Sequence, residues 1–230
     1  MSINIAIDGP SGAGKSSLAK SIAKILSFSY VDTGALYRAI GLYVVENGAD
    51  PKKSEEVVPL LSSLTVDLVY IEGVQHVLCN GEDVTPRIRR NEISIAASDV
   101  SAYKEVREFL LDTQRTIAQH NNVVMDGRDV GTTILPNADL KIYLTASVED
   151  RAQRRYEELL GKESDLSYEK IYKDIEQRDY NDSHREFSPL RKADDAIVLD
   201  NSGFVQEQTL NAALDIIKKK LGTVLNLGEI

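Results

Sequence analysis

Only one cysteine, Cys79, occurs in this chain of 230 residues, so an internal disulfide is impossible and a zinc site built on several cysteines is excluded. A lone free cysteine is expected to be a small core residue. Long apolar runs are missing too: no stretch approaches the roughly 18 apolar residues that a membrane helix needs. The opening segment has no basic region, and its short apolar run meets Asp8 and Gly9 too soon to form a signal-peptide core. A cytoplasmic protein that spans no membrane is therefore expected. Positive charge is also in deficit, with 27 lysines and arginines against 36 aspartates and glutamates and a net charge of −9. That balance argues against a general nucleic-acid-binding face, so any phosphate recognised here must meet arginines gathered locally. What is present is 42% apolar and 27% charged residues, the composition of a soluble globular protein with one sizeable core and room for appended parts.

Ile3 to Ile7 is an apolar, β-branched run that ends in a glycine-rich turn, which predicts a strand. From Lys15 to Leu26, residues Leu18, Ile22, Ile25 and Leu26 fall at helical spacing, leaving Lys20 and Lys24 to solvent. Similar short runs recur at Ser29–Val31, Val123–Met125, Leu140–Leu144 and Ala196–Leu199, separated by segments of helical period. These five runs predict an α/β fold with a five-stranded parallel sheet flanked by helices. One intervening helix shows Val106, Phe109, Leu110 and Ile117 on a face, and the last shows Leu210, Ala213, Leu214, Ile217 and Leu221. Its Lys218–Lys220 run suits a helix C-terminus and a solvated face.

Two segments break the alternation. Between Thr65 and Val84, apolar residues take every second position around Asn80-Gly81, which predicts an antiparallel β insert with a hairpin turn at that pair. Between Glu149 and Arg191 charges dominate, and two helices flanking a Gly161-Lys162 turn are expected to form a helical, mobile lid.

Gly9, Pro10, Ser11, Gly12, Ala13, Gly14, Lys15 and Ser16, followed by Ser17, match the P-loop pattern in full, after a strand and opening a helix. Glycines let the backbone wrap phosphates with its N–H groups, and the helix directs its positive end at them. Lys15 adds a charge at the β/γ-phosphates, and the Ser16 hydroxyl is placed for Mg²⁺. ATP is thus the expected donor, with Mg²⁺ as cofactor. The arginines bear on what receives the phosphoryl group. Arg38 follows the second strand and Arg128 the third, at the sheet edge where ligands of open α/β folds bind. Together they offer a fork for a second, acceptor phosphate, the alternative for each being a surface or ion-pair role. Arg151, Arg154 and Arg155 share one helix face, as do Arg178, Asp182 and Arg185. They read as cations that close over the transferring group, with helix-stabilising ion pairs as the alternative.

From first strand to last helix, the sequence resembles the bacterial-type cytidylate kinase family of P-loop nucleoside monophosphate kinases. The resemblance is carried by Ile7–Ser16, Asp32-Thr-Gly-Ala-Leu-Tyr-Arg38, Asp126-Gly-Arg-Asp-Val-Gly-Thr132, the Arg151/Arg154/Arg155 cluster and Gln177-Arg-Asp179 through Arg185. It implies a core of 1–32, 104–148 and 187–230, a monophosphate-binding region with the β insert over 33–103, and a lid over 149–186. It further implies that Thr33, Arg38 and Arg128 hold the acceptor phosphate. Ser98, Arg107 and Asp129 would face cytosine, with Arg178 and Asp182 near the ribose and Arg185 nearby. Lys15, Arg128, Arg151, Arg154, Arg155 and Arg178 would be the catalytic cations. Asp32 and Asp126 are candidates for holding Mg²⁺ through water, capping being the alternative for both. The implied reaction is transfer of the γ-phosphoryl group of ATP to CMP or dCMP. An anionic acceptor phosphate needs no general base, so His76, His120 and His184 are expected to have no catalytic role, and a monomer is expected. Rival expectations are another small-molecule kinase acting on UMP, AMP or shikimate, or a nucleotide-binding regulatory switch. The chain has no Asn-Lys-x-Asp guanine-reading motif to support the switch.

Overall fold

Aliphatic runs that do not alternate, such as Val123–Met125, are buried on both sides, which is what a parallel sheet covered by helices on each face demands. The computed structural model describes residues 2–161 and 166–225. Lys162, half of the turn expected between the lid helices, lies outside the described residues, as do 226–230 of the expected core. In chain order the elements are β1 (Asn4–Asp8), α1 (Lys15–Leu26), β2 (Ser29–Asp32), α2 (Thr33–Glu46), α3 (Ser54–Val57), β3 (Val66–Ile71), β4 (Val74–Cys79), β5 (Glu82–Asp83) and α4 (Asn91–Val100). Then come α5 (Lys104–His120), β6 (Val123–Gly127), β7 (Leu140–Thr145), α6 (Val148–Leu159), α7 (Tyr168–His184), β8 (Ile197–Asp200) and α8 (Gln206–Leu225).

Five strands pair in the order β2-β6-β1-β7-β8, all parallel, so the expected sheet is present. Each strand runs past its apolar stretch into polar residues, because main-chain pairing continues where the side chains cease to be apolar. Asp8 thereby stands opposite Gly127, and Asp32 opposite Asp126, at one edge of the sheet. On one face, Leu18 and Ile22 of α1 and Ala213 and Ile217 of α8 bury Ile5, Ile7, Ile142 and Leu144. The other face packs Ala6, Val31 and Met125 beneath Ala118 of α5 and Val130.

A second core joins α2 to the insert through Leu36, Ile40, Val66, Val77, Ile88 and Ile93, and Cys79 is free and buried within it. The insert is a three-stranded antiparallel sheet, β3-β4-β5. Its turn at Asn80-Gly81 is present, with φ of 49° and 82°, but it joins β4 only to the two-residue β5. The longer hairpin, β3 to β4, turns at Glu72-Gly73, also with positive φ at both residues. Glutamate is no strong turn former, so the residue types at that pair do not mark the turn as those of Asn80-Gly81 do.

The hairpin reaches the edge of the main sheet. Tyr70 Oη donates to the Tyr30 carbonyl at 2.8 Å, and the Asp32 N–H donates to Gln75 Oε1 at 2.8 Å. Tyr70 and Gln75 face each other across the β3–β4 ladder. Helices α6 and α7 pack through Ala152, Ile171 and Ile175. No helix among the described residues is long and apolar enough to cross a membrane.

Where the chain leaves β1, Gly9 takes φ 152°, and a Cβ there would sit 1.9 Å from the Leu144 carbonyl oxygen. That oxygen belongs to a central strand and cannot retreat. Gly9→Ala is therefore expected to lower the thermal midpoint by about 5–10 °C, read by calorimetry.

Candidate active site

The carboxyl ends of β1, β2 and β6 open into a cleft of about 580 Å³, walled by the glycine loop, the start of α2, α4 and the inner face of α7. The loop enters α1 through Gly14, left-handed at φ 88° and with no side-chain cap. The first N–H groups of a twelve-residue helix are thus left for an anion. Lys15 is buried, and its Nζ donates to the Pro10 carbonyl at 2.7 Å. Burial, reinforced by the charge of Arg128, pushes its pKa down to about 7. A phosphate in the loop supplies the counter-charge that reverses this shift.

Ser16 Oγ donates to Asp126 Oδ2 at 2.9 Å, and Tyr30 Oη donates to Asp126 Oδ1 at 2.8 Å. Burial, then the neighbouring charge of Asp32, raises Asp126 to about 6. A hydroxyl beside a carboxylate is a hard oxygen donor set. This suits a cation such as Mg²⁺, which takes its other ligands from phosphates and water. Asp32 is placed otherwise than expected of a metal partner. It caps α2 by accepting from the Ala35 N–H at 2.9 Å, and it pairs with Arg38 at 2.8 Å and Arg89 at 3.4 Å. Burial alone would raise its pKa, but the Arg38 and Arg89 guanidinium groups hold the carboxyl below its ordinary range.

The residues expected at the acceptor converge on the same cleft: Thr33, Arg38, Ser98, Arg107, Arg128, Asp129, Arg178, Asp182 and Arg185 all line it. Arg128 Nε donates to Asp182 Oδ2 at 2.8 Å, and Arg185 lies 3.6 Å from the other oxygen. Burial opposes the charge on Asp182, yet Arg128 and Arg185 hold its pKa below the usual range. Arg107 pairs with Asp129 at 2.5 Å, donates to the Ser101 carbonyl at 3.0 Å, and lies over the Tyr37 ring. Arg38 Nε, Arg107 Nε and Arg185 Nη2 are buried with no hydrogen-bond partner, Arg185 Nη2 lying 3.7 Å from Asp129 Oδ1. An unmet buried donor costs about 1–3 kcal/mol, so three of them around one cleft mark a place for an anionic or acceptor-rich ligand. Thr33 lines the cleft and is also tied into the fold. Its hydroxyl donates to the Asp126 carbonyl at 2.8 Å and ties the ends of β2 and β6 together.

The arginines of α6 and α7 divide into two pairs. Arg155 and Arg178 face the cleft. Arg155 is paired with Glu158, while Arg178 makes no hydrogen bond or ion pair among the described residues, and burial with the nearby Arg128 charge lowers its pKa. Arg151 and Arg154 point elsewhere, contrary to the expectation that they cover the transferring group. Arg151 is buried against the loop, donating to the Ser11 carbonyl at 2.9 Å and the Ala146 carbonyl at 3.0 Å. Arg154 donates to the Asn201 carbonyl at 2.7 Å, and the Asn201 amide donates to the Ala13 carbonyl at 3.1 Å. Both serve to bolt α6 to the glycine loop, because the carbonyls of a loop that turns its N–H groups inward need donors from behind.

Four functional side chains were not singled out by sequence reasoning. Asp8 accepts from the Val130 and Gly131 N–H groups at 2.8 and 2.7 Å, joining the end of β1 to the turn that carries Arg128 and Asp129. Burial raises it to about 6. Tyr37 backs Arg107, and burial pushes its hydroxyl up to about 12. Asn201 supports the loop, and Asp179 contacts Ser11 and Arg151. Asp8, Tyr37 and Asp179 each stand inside a motif quoted above, but nothing in the linear pattern sets them apart from their neighbours.

The family model for cytidylate kinase matches residues 5–219. Among curated proteins, the cytidylate kinase of Caldicellulosiruptor bescii is 48% identical over 217 residues, covering 94% of this chain and 96% of that protein. The cytidylate kinase of Bacillus subtilis (strain 168) is 43% identical over 218 residues, covering 95% and 97%. Among solved structures, a gluconokinase from Sinorhizobium meliloti 1021 superposes with a TM-score of 0.47 at 12% identity, covering 99% of this chain and 98% of that one. That likeness is too distant to bear on function.

Proposed function

Because the chain belongs to the cytidylate kinase family, we propose that it transfers the γ-phosphoryl group of ATP to CMP or dCMP, giving ADP and CDP or dCDP. The observation that carries this reading is a cleft with two separate cationic walls: Lys15 on the glycine loop, and Arg38, Arg128 and Arg178 around the space beside the Arg107–Asp129 pair. One wall serves donor phosphates and the other an acceptor phosphate. We read 33–103 as the acceptor region and 149–186 as the lid around the core.

The acceptor is a phosphate monoester whose second ionisation lies near pH 6, so its oxygen is already anionic at neutral pH and needs no general base. Arg38 and Arg128 orient that phosphate, and Arg38 Nε supplies a donor left over from its pairing with Asp32. Lys15 and Arg178 face the charge that spreads over the transferring group. Asp129 accepts from the exocyclic amine of cytosine, while Arg107 donates to ring acceptors, a pattern that uracil meets with an acceptor against a carboxylate. Ser16 and Asp126 would hold Mg²⁺, which neutralises phosphate charge when bound. We place the enzyme in the cytoplasm, in keeping with the free Cys79.

A coupled assay of ADP release with ATP·Mg²⁺ tests the reading. CMP and dCMP are expected to turn over at least about 100-fold more efficiently than UMP, AMP or GMP, and shikimate not at all. ADP release that ignored every monophosphate would remove the kinase reading altogether.

A further inference from the structure

Donor phosphates meet the glycine loop, whereas Arg178 and Asp182 of α7 and Arg185 just past its end face the acceptor. In-line transfer needs the attacking oxygen within about 3–3.5 Å of phosphorus, so α7 must be fixed relative to the loop. Asp179 supplies that link by direct contact. One carboxylate oxygen accepts from the Ser11 N–H at 3.1 Å, and the other pairs with Arg151. Arg151 closes the ring by donating to the Ser11 carbonyl at 2.9 Å. Both main-chain polar groups of Ser11 are thus held by side chains from α6 and α7.

The ring is tight as well as closed. Arg151 is 4% exposed, and a Cβ on Gly12 would lie 3.1 Å from the Arg151 Cβ, so loop and helix are in contact beside the ring. Arg151 is also anchored to the Ala146 carbonyl, which leaves the carboxylate as the part that belongs to α7. Asp179 follows Arg178 in the chain and precedes Asp182 by three positions, on the same helix. A shift of Asp179 would carry both acceptor-facing residues with it.

We propose that Asp179 is a positioning residue that sets the distance between donor and acceptor phosphates, by tying α7 to the glycine loop through Ser11 and Arg151. The proposal rests on the CMP kinase reading above. It has a kinetic signature that a general folding role lacks. Each substrate touches its own wall of the cleft and binds there without the ring, so only the registry of the bound pair depends on Asp179.

The test uses Asp179→Asn, which keeps the size of the side chain and removes its charge, with Asp179→Ala and Arg151→Gln beside it. In Asp179→Asn, kcat is expected to fall about 30- to 100-fold while KM for ATP and for CMP each stays within about threefold. A bisubstrate compound joining adenosine and cytidine through a polyphosphate should lose affinity by a similar factor in calorimetry, although ATP and CMP alone bind as before. The double variant Asp179→Asn/Arg151→Gln should be no slower than the slower single variant, as expected of residues in one ring. A folded Asp179→Asn with kcat within about twofold of the parent overturns the proposal. Equal losses in kcat and in CMP binding overturn it too, and so does failure of both Asp179 variants to fold. If the parent protein itself fails to phosphorylate CMP, it is the kinase reading that falls.

Discussion

Lys15→Met is expected to lower kcat by about 10³-fold and to leave the thermal midpoint unchanged or slightly higher. The two effects have one origin. Lys15 is enclosed by the glycine loop, and its burial next to Arg128 pushes its pKa down to about 7. Holding a cation there disfavours the folded protein and favours a bound phosphate. Methionine keeps the aliphatic stem, removes the charge and loses one hydrogen bond, to the Pro10 carbonyl. The stability of the fold should therefore survive the change that removes the activity, as is common where a site holds charge against its solvation preference. Calorimetry and single-turnover transfer on the same preparation check both halves. A large fall in the midpoint would mean that Lys15 holds the loop together instead.

Asp129→Asn should act on the other wall. Its carboxylate is paired with Arg107 at 2.5 Å, both side chains being buried. The amide replaces a pure acceptor by a group that also donates, so the preference for the cytosine amine over the uracil carbonyl is lost. We expect KM for CMP to rise about 100-fold and the CMP-to-UMP ratio of kcat/KM to collapse towards unity. ATP binding should be unaffected, because Asp129 lies on the acceptor wall. Arg107 would keep its Ser101 contact but lose its counter-charge, and breaking a buried pair in this way costs about 3–5 kcal/mol. The ratio of two substrates on one preparation is independent of the folded fraction and separates the specificity effect from this destabilisation. A ratio unchanged from the parent protein would show that Asp129 does not face the base.

The glycine loop was legible in the sequence because a phosphate cradle dictates residue type at each position, and the order strand, loop, helix can be read locally. The parallel sheet was legible for a similar reason, since strands covered on both faces are continuous apolar runs. The lid was harder. Spacing placed Arg151, Arg154 and Arg155 on one stretch of helix, but three- and four-residue spacing says only which side chains are neighbours. Which of them turn inward depends on the Ser11 carbonyl and on Asn201, both more than forty residues away in the chain. Asp32 shows the same limit. A carboxylate at a strand end suits a metal, a helix cap or an arginine, and only the positions of Ala35, Arg38 and Arg89 decide among them. The Glu72-Gly73 turn escaped because its residues are not the usual turn pair.

The contact between the insert and β2 has a consequence outside catalysis. β2 is an edge strand, and an open edge is a template on which another chain can add a strand. The Tyr30 carbonyl and the Asp32 N–H are occupied by Tyr70 and Gln75. A foreign strand would have to displace both side chains and push aside the hairpin that carries them. The antiparallel insert thus also shields the sheet from edge-to-edge aggregation.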